Sequence, residues 1–166
     1  MKMKSPTYGD VTMDEVTKII NDYCLKQKEK YNSPFHIIVG TDSQNFSDTK
    51  VVTVIVAQSE GHGGIYFYHI ERVNRIQDVR NKLNYETQTS LTYADELIKT
   101  IESKEEYLDM YLNSSFAIHV DAGHSDHGKT KELIPSLVGW IKSCGYECEV
   151  KPDSFAASSI ADKISK

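Results

Sequence analysis

Three carboxylates in this chain stand where apolar surroundings make a charge costly. Asp42 follows the run Ile37–Ile38–Val39 through Gly40 and Thr41. Asp121 closes a second run, Phe116–Ala117–Ile118–His119–Val120. Between them, Val79, Leu83, Glu86, Ser90, Ala94, Leu97 and Ile101 recur at steps of three or four, which sets Glu86 on the inward stripe of a helix. Carboxylates brought together raise one another's pKa and disfavour folding. A divalent cation relieves that conflict. Hard oxygen ligands with no Cys or extra His favour Mg²⁺ or Mn²⁺. Two such ions about 4 Å apart activate a water and stabilise a leaving oxygen, which is the chemistry of phosphodiester hydrolysis. Each acid also has a plainer reading. Asp42 and Asp121 fit turn residues after strands, and Glu86 fits a partner for a buried Arg72 or Arg80.

The elements that would position these acids can be read in order. Met1–Val11 holds Pro and Gly and reads as an irregular lead-in. Thr12–Met13–Asp14–Glu15 fits a capping box, and a helix is expected over 12–31, stopped by Asn32–Ser33–Pro34. A strand over 36–41 follows, then a polar turn over 43–49. Two further strands over 50–59 and 65–73, joined by the loop Glu60–Gly64, complete an antiparallel meander. A long helix over 77–103, a strand over 116–121, a helix over 130–144, a strand over 146–151 and a short helix over 158–166 make up the rest. After the first helix this is βββαβαβα. If the fourth strand lies parallel beside the first, Asp42 and Asp121 meet at one rim, and a right-handed crossover lays Glu86 over it.

Composition bounds the partners. The 166 residues suit one domain with a core, and 39% hydrophobic and 26% charged residues are ordinary for a globular chain. A formal charge of −5 argues against a general electrostatic grip on nucleic acid, though not against a local basic groove. No apolar run follows the basic Met1–Lys4, no segment is long enough to span a bilayer, and the cysteines are an odd three, so a cytoplasmic location without membrane contact is expected. Cys144 and Cys148 have no second pair to complete a zinc site and read as small buried apolar residues. Tyr66 and Tyr68 fit strand faces and could stack on bases.

The loop over 123–130, GHSDHGKT, matches the phosphate-cradling pattern G-x-x-x-x-G-K-[ST], and it follows a strand and precedes a helix. Its Asp-His-Gly-Lys-Thr run is also similar to one in translation GTPases. Only 36 residues follow Thr130, too few for the parallel sheet and Mg²⁺-binding acid of that fold. A milder role remains, with His124, His127 and Lys129 contacting a substrate phosphate. The plain alternative is a solvated loop leading into the next helix.

The order of elements and acids resembles the ribonuclease H-like superfamily. More closely, Gly40–Thr41–Asp42–Ser43–Gln44, Tyr85–Glu86–Thr87, His119–Val120–Asp121 and the tail Lys151–Pro152–Asp153–Ser154–Phe155–Ala156–Ala157–Ser158–Ser159 with Ala161–Asp162 resemble the YkuK-like family of bacterial proteins assigned to that superfamily. The resemblance covers most of the chain, first helix included. It implies one α/β domain over 12–166 of ribonuclease H-like fold, with a five-stranded mixed sheet flanked by helices and an extra N-terminal helix. It further implies that Asp42, Glu86, Asp121 and Asp162 hold two Mg²⁺ or Mn²⁺ ions in a nuclease acting on nucleic acid, with Ser43 and Gln44 near enough to contact substrate. Where the family continues after Ala161–Asp162 with Arg and an aromatic or His, this chain has Lys163–Ile164. Asp162 also fits a first-turn acid, with Ser159 three residues before it. Two other functions stay open: a ribonuclease H-like nucleic-acid-binding module without catalysis, and a nucleotide-binding protein using the 123–130 loop.

Overall fold

Thr12 starts the first helix in the way its neighbours demand. Its Oγ1 accepts the Glu15 N–H at 3.2 Å, while Glu15 Oε1 accepts the Thr12 N–H at 3.2 Å. This reciprocal cap is worth about 1 kcal/mol. The helix, α1 (Met13–Tyr31), ends at Asn32, whose left-handed φ of 51° lets its N–H reach Lys28 O. The computed structural model describes residues 1–123, 126 and 128–166.

The central strands follow as expected in kind but not in extent. β3 (Phe35–Asn45), β4 (Thr49–Ser59) and β5 (Gly64–Val73) form the antiparallel meander. After α2 (Val79–Glu102), a 3₁₀ turn over Glu105–Tyr107 and a short α3 (Leu108–Asn113), β6 (Ser114–Gly123) pairs with β3 in parallel. α4 (Lys129–Ser143) then crosses to β7 (Glu147–Lys151), parallel to β6. The tail is a π-helical stretch over Ala156–Ala161 running into α5 (Asp162–Ser165).

The sheet has seven strands rather than five, in the order β2-β1-β5-β4-β3-β6-β7. The two extra strands, β1 (Lys2–Ser5) and β2 (Gly9–Thr12), come from the segment read as an irregular lead-in. Each has four residues, too few to show a period. β1 nevertheless alternates, and Met3 and Val11 enter the main core at 2% and 3% exposure. Ser5 Oγ accepts the N–H groups of Thr7 and Tyr8 at 3.1 and 3.0 Å, and Gly9 takes a φ of 71° to close the hairpin. This hairpin covers the β5 edge that would otherwise be open.

One face of the sheet packs α1, α2 and α4 over Ile37, Val39, Ile55, Phe67 and Ile118. The other carries the tail, with Ala156 and Ala161 seated on Ile38, Val52, Val54 and Val56. Gly40 allows this seat: a Cβ there would stand 2.7 Å from Ala157 N and 3.0 Å from Ala156 C. Cys144 is exposed and Cys148 half-buried, so neither is the fully buried apolar residue expected.

Candidate functional site

β3 does not stop at Thr41. It pairs with β4 through Asn45↔Thr49, so Asp42 lies inside a strand, opposite Val52, and not in a turn. The rim arises on the other side. Pairing of β3 with β6 ends at Gly40↔His119, and the register of β6 with β7 shifts between His119 and Gly123. The sheet therefore splits at the level of Asp42 and Asp121. Strand alternation turns both side chains toward the face that the tail covers.

At the split the two carboxyls are hydrogen-bonded to one another. Asp42 is 2% exposed. Burial, then the hydrogen bond to Asp121, then the charges of Glu86 and Asp121 push its pKa up to about 8, against the pull of the Ser165 hydroxyl. Ser165 Oγ donates to Asp42 Oδ2 at 2.9 Å. Asp42 thus carries a proton near neutrality.

Glu86 reaches the split from the helical face. It is 5% exposed, and Ser43 Oγ donates to its Oε2 at 2.5 Å. One turn further along α2, Ser90 Oγ lies 2.7 Å from Thr41 Oγ1, so two β3 hydroxyls hold the helix in register. Burial pushes the Glu86 pKa up to about 7, opposed by the Ser43 hydroxyl and Lys82 and reinforced by Asp121. Arg72 is not its partner. That guanidinium lies 2.8 Å from Asp48 Oδ1 at the surface.

Asp162 stands at the start of α5 and joins the group through Gln44, whose Nε2 donates to Asp162 Oδ1 at 3.3 Å and to Asp42 Oδ2 at 3.5 Å. Its other oxygen meets Lys166 Nζ at 3.0 Å. Ser43 and Gln44 thus bond to the acids themselves. Lys129 opens α4 and is exposed. His124 and His127 lie outside the described residues.

The sequence pattern did not single out three neighbours of the acids. Lys151 Nζ lies 3.2 Å from Asp121 Oδ1. Burial alone would lower the Lys151 pKa, but Asp121, with Asp126 and Asp42 behind it, outweighs this and raises it. Ser165 caps Asp42 from 123 residues away. His119 is buried, and burial pushes its pKa down to about 4. The neutral ring accepts the Ala156 N–H at Nδ1, 3.3 Å, and meets Phe155 edge-on at 4.8 Å. Lys151 falls in the long tail motif, with Phe155 and Ala156, and His119 in His119–Val120–Asp121; Ser165 lies outside both.

Among the described residues, no group of three His, Cys, Asp or Glu side chains stands in ready metal-holding geometry. The donor set nevertheless suits a hard cation. Asp42, Glu86 and Asp121 are coupled electrostatically, all offer oxygen, and two of them are raised in pKa by burial with insufficient positive charge nearby. No helix among the described residues is long and apolar enough to cross a membrane.

The chain is similar to proteins already known. The family model "Ribonuclease H-like" matches residues 15–166. "Uncharacterized protein YkuK" of Bacillus subtilis (strain 168) is 32% identical over 167 residues, covering 95% of this chain and 93% of that protein. Among solved structures, the Mos1 transposase catalytic domain with raltegravir and Mn superposes with a TM-score of 0.30 at 12% identity. That match covers 82% of this chain, which spans 59% of the other. The sheet with its parallel β3–β6 pair, the family match and the full-length relative together show that the chain belongs to the ribonuclease H-like family, among the YkuK-like proteins.

Proposed function

We propose that this protein is a divalent-metal-dependent nuclease whose centre is Asp42, Glu86 and Asp121, with Asp162 at its margin. The observation that carries the reading is the hydrogen-bonded Asp42–Asp121 pair at the split between β3 and β6, with the buried Glu86 brought to it from the opposite face. Mg²⁺ or Mn²⁺ held there would polarise a phosphodiester and activate water. The chain's own groups prepare the place. Ser43 orients Glu86, Gln44 ties Asp162 to Asp42, and Lys151 balances Asp121. A proton at Asp42 and one at Glu86 offset the remaining charge until a cation replaces them. The substrate class that fits is nucleic acid.

The test is cleavage of end-labelled RNA, DNA and hybrid with Mn²⁺ by the intact protein and by Asp42→Asn and Asp121→Asn. Cleavage by the intact protein, lost in both variants and in chelator, is the expected result. Cleavage that persists in both variants overturns the reading.

A second reading, a binding module without catalysis, has its own observation. Every acid of the group already has a protein partner: Ser165 on Asp42, Ser43 on Glu86, Lys151 on Asp121 and Lys166 on Asp162. Absence of cleavage together with no metal-induced shift in Tm would favour it. The nucleotide-binding reading through Lys129 is the weakest. In that loop the Gly123 N–H, a group that would face phosphate, donates to Asp126 Oδ2 at 2.9 Å.

A further inference from the structure

The tail covers only part of the sheet face that carries Asp42. It seats on β3 and β4; Tyr66 and Tyr68 of β5 pack against the same cluster from the side and keep part of their surface open, while Ile70 of β5 and Lys2 and Lys4 of β1 are exposed. There the register sets Lys4 of β1 beside Tyr68 of β5. Tyr66 and Tyr68 are half-buried, with ring centroids 6.3 Å apart, while Ile70 is 40% exposed. Arg72 follows on the same face and lies over the exposed Phe46 ring at 5.8 Å. Beyond the tail this surface carries Lys2 and Lys4 beside Asp10, and Arg72 in an ion pair with Asp48, while Lys50 at its border with the tail donates to Ile164 O at 2.8 Å.

Cross-strand rows connect this surface to the acids. Ile70 pairs with Val52, and Val52 with Asp42. Arg72 pairs with Lys50, and Lys50 with Gln44. Two strand spacings amount to about 10 Å, so Ile70, at the near edge of this surface, lies about that far from Asp42, with Val52 between them beneath the tail. Flat rings interleaved with cations suit bases and phosphates that alternate along an unpaired strand. A duplex hides its base faces and would gain nothing from the tyrosines.

We propose that the outward face of β1 and β5, formed by Lys4, Tyr66, Tyr68, Ile70 and Arg72, is a platform for single-stranded nucleic acid that leads toward Asp42. The direction it assigns to the strand rests on the nuclease reading of the acids; the binding itself does not.

The experiment measures anisotropy of dye-labelled 12-mer oligo-uridine, oligo-thymidine and a mixed-sequence duplex, in chelator so that nothing is cleaved. The intact protein is expected to bind the single strands more tightly than the duplex, with affinity falling as salt rises. Tyr66→Ala/Tyr68→Ala is expected to weaken single-strand binding tenfold or more and to leave duplex binding unchanged. Tyr68→Phe keeps the ring and the affinity. Lys4→Glu, an exposed change that leaves the core intact, weakens it several-fold. Thermal melting establishes that each variant is folded. Unchanged affinity in both the double alanine and Lys4→Glu variants overturns the platform, as does preference for duplex. Asp42→Asn separates the two ideas. If it binds single strands as the intact protein does while no protein cleaves, the platform stands and the nuclease reading fails. If cleavage depends on Asp42 but the platform variants bind normally, the reverse holds.

Discussion

Ser43 and Asp42 are adjacent in β3 yet serve opposite faces of the sheet: Ser43 Oγ donates to Glu86 Oε2 at 2.5 Å on the helical side, and Asp42 accepts from Ser165 Oγ at 2.9 Å on the tail side. One dipeptide therefore fixes two carboxyls from two layers at one split in the sheet. Ser43→Ala removes the hydroxyl that Glu86 needs while leaving a small side chain at a fully buried position. A buried carboxyl stripped of its donor costs about 1–3 kcal/mol. We expect Tm at pH 8 to fall by several degrees and the loss to shrink at pH 5, where Glu86 is protonated and needs less from Ser43. An equal loss at both pH values would mean that Ser43 contributes packing alone.

The raised pKa values set the direction of the pH dependence. Asp42 titrates near 8 and Glu86 near 7 in the folded chain, against ordinary values near 4. Between those limits the folded state holds protons that the unfolded state has released. Stability is then fully present below about pH 4 and is lost as pH rises through 7 to 8. In chelator, Tm is expected to fall steadily from pH 5 to pH 8.5. Asp42→Asn is a neutral isostere that can still donate to Asp121 and accept from Ser165. It should flatten that slope and raise Tm at pH 8 by several degrees. A profile for Asp42→Asn that parallels the native one would remove Asp42 as the source.

How much of this was legible in the sequence depended on range. The Thr12–Glu15 cap, the stripe that places Glu86 inward and the apolar runs before Asp42 and Asp121 are local patterns, and the structure has them. The true length of β3 was hidden. Ser43 and Gln44 read as part of a polar turn over 43–49, with Asp42 at the strand's end, because a sequence shows polarity and not the partners that make its burial tolerable. Those partners are 43 residues away in Glu86 and 123 away in Ser165. The hairpin of β1 and β2 was too short to show a period. The π-helical stretch over Ala156–Ala161 has small residues with little apolar rhythm, and its shape follows from the sheet beneath it.

That last dependence is testable at Gly40. A methyl group there would lie 2.7 Å from the backbone nitrogen of Ala157, so the tail must lift or the strand must bend. Overpacking of this kind costs about 1–3 kcal/mol. Gly40→Ala should lower Tm by several degrees. It should also speed amide exchange over 155–165 more than over α1, because the tail loses its seat while the helical face does not. Exchange that rises uniformly would show that the tail and the main core open as one unit.

Lys151 and a divalent ion compete for the same carboxylate. The ammonium lies 3.2 Å from Asp121 Oδ1, and its side chain is 38% exposed, so the pair is partly screened and contributes at most about 1 kcal/mol to stability. Removing it does more to the field than to the fold. Lys151→Met keeps much of the aliphatic stem, frees Asp121 and leaves the three acids one positive charge poorer. In chelator we expect a small change in Tm. With Mn²⁺ we expect a larger stabilisation than in the native protein, with half the shift reached at several-fold lower metal concentration, since binding to the folded state adds RT ln(1 + [L]/Kd). The gain should be greater at pH 8 than at pH 6, because metal ligation requires the Asp42 and Glu86 protons to leave. Weaker Mn²⁺ stabilisation in Lys151→Met would show that the ammonium assists the ion by holding Asp121 in place, and the competition would have to be abandoned.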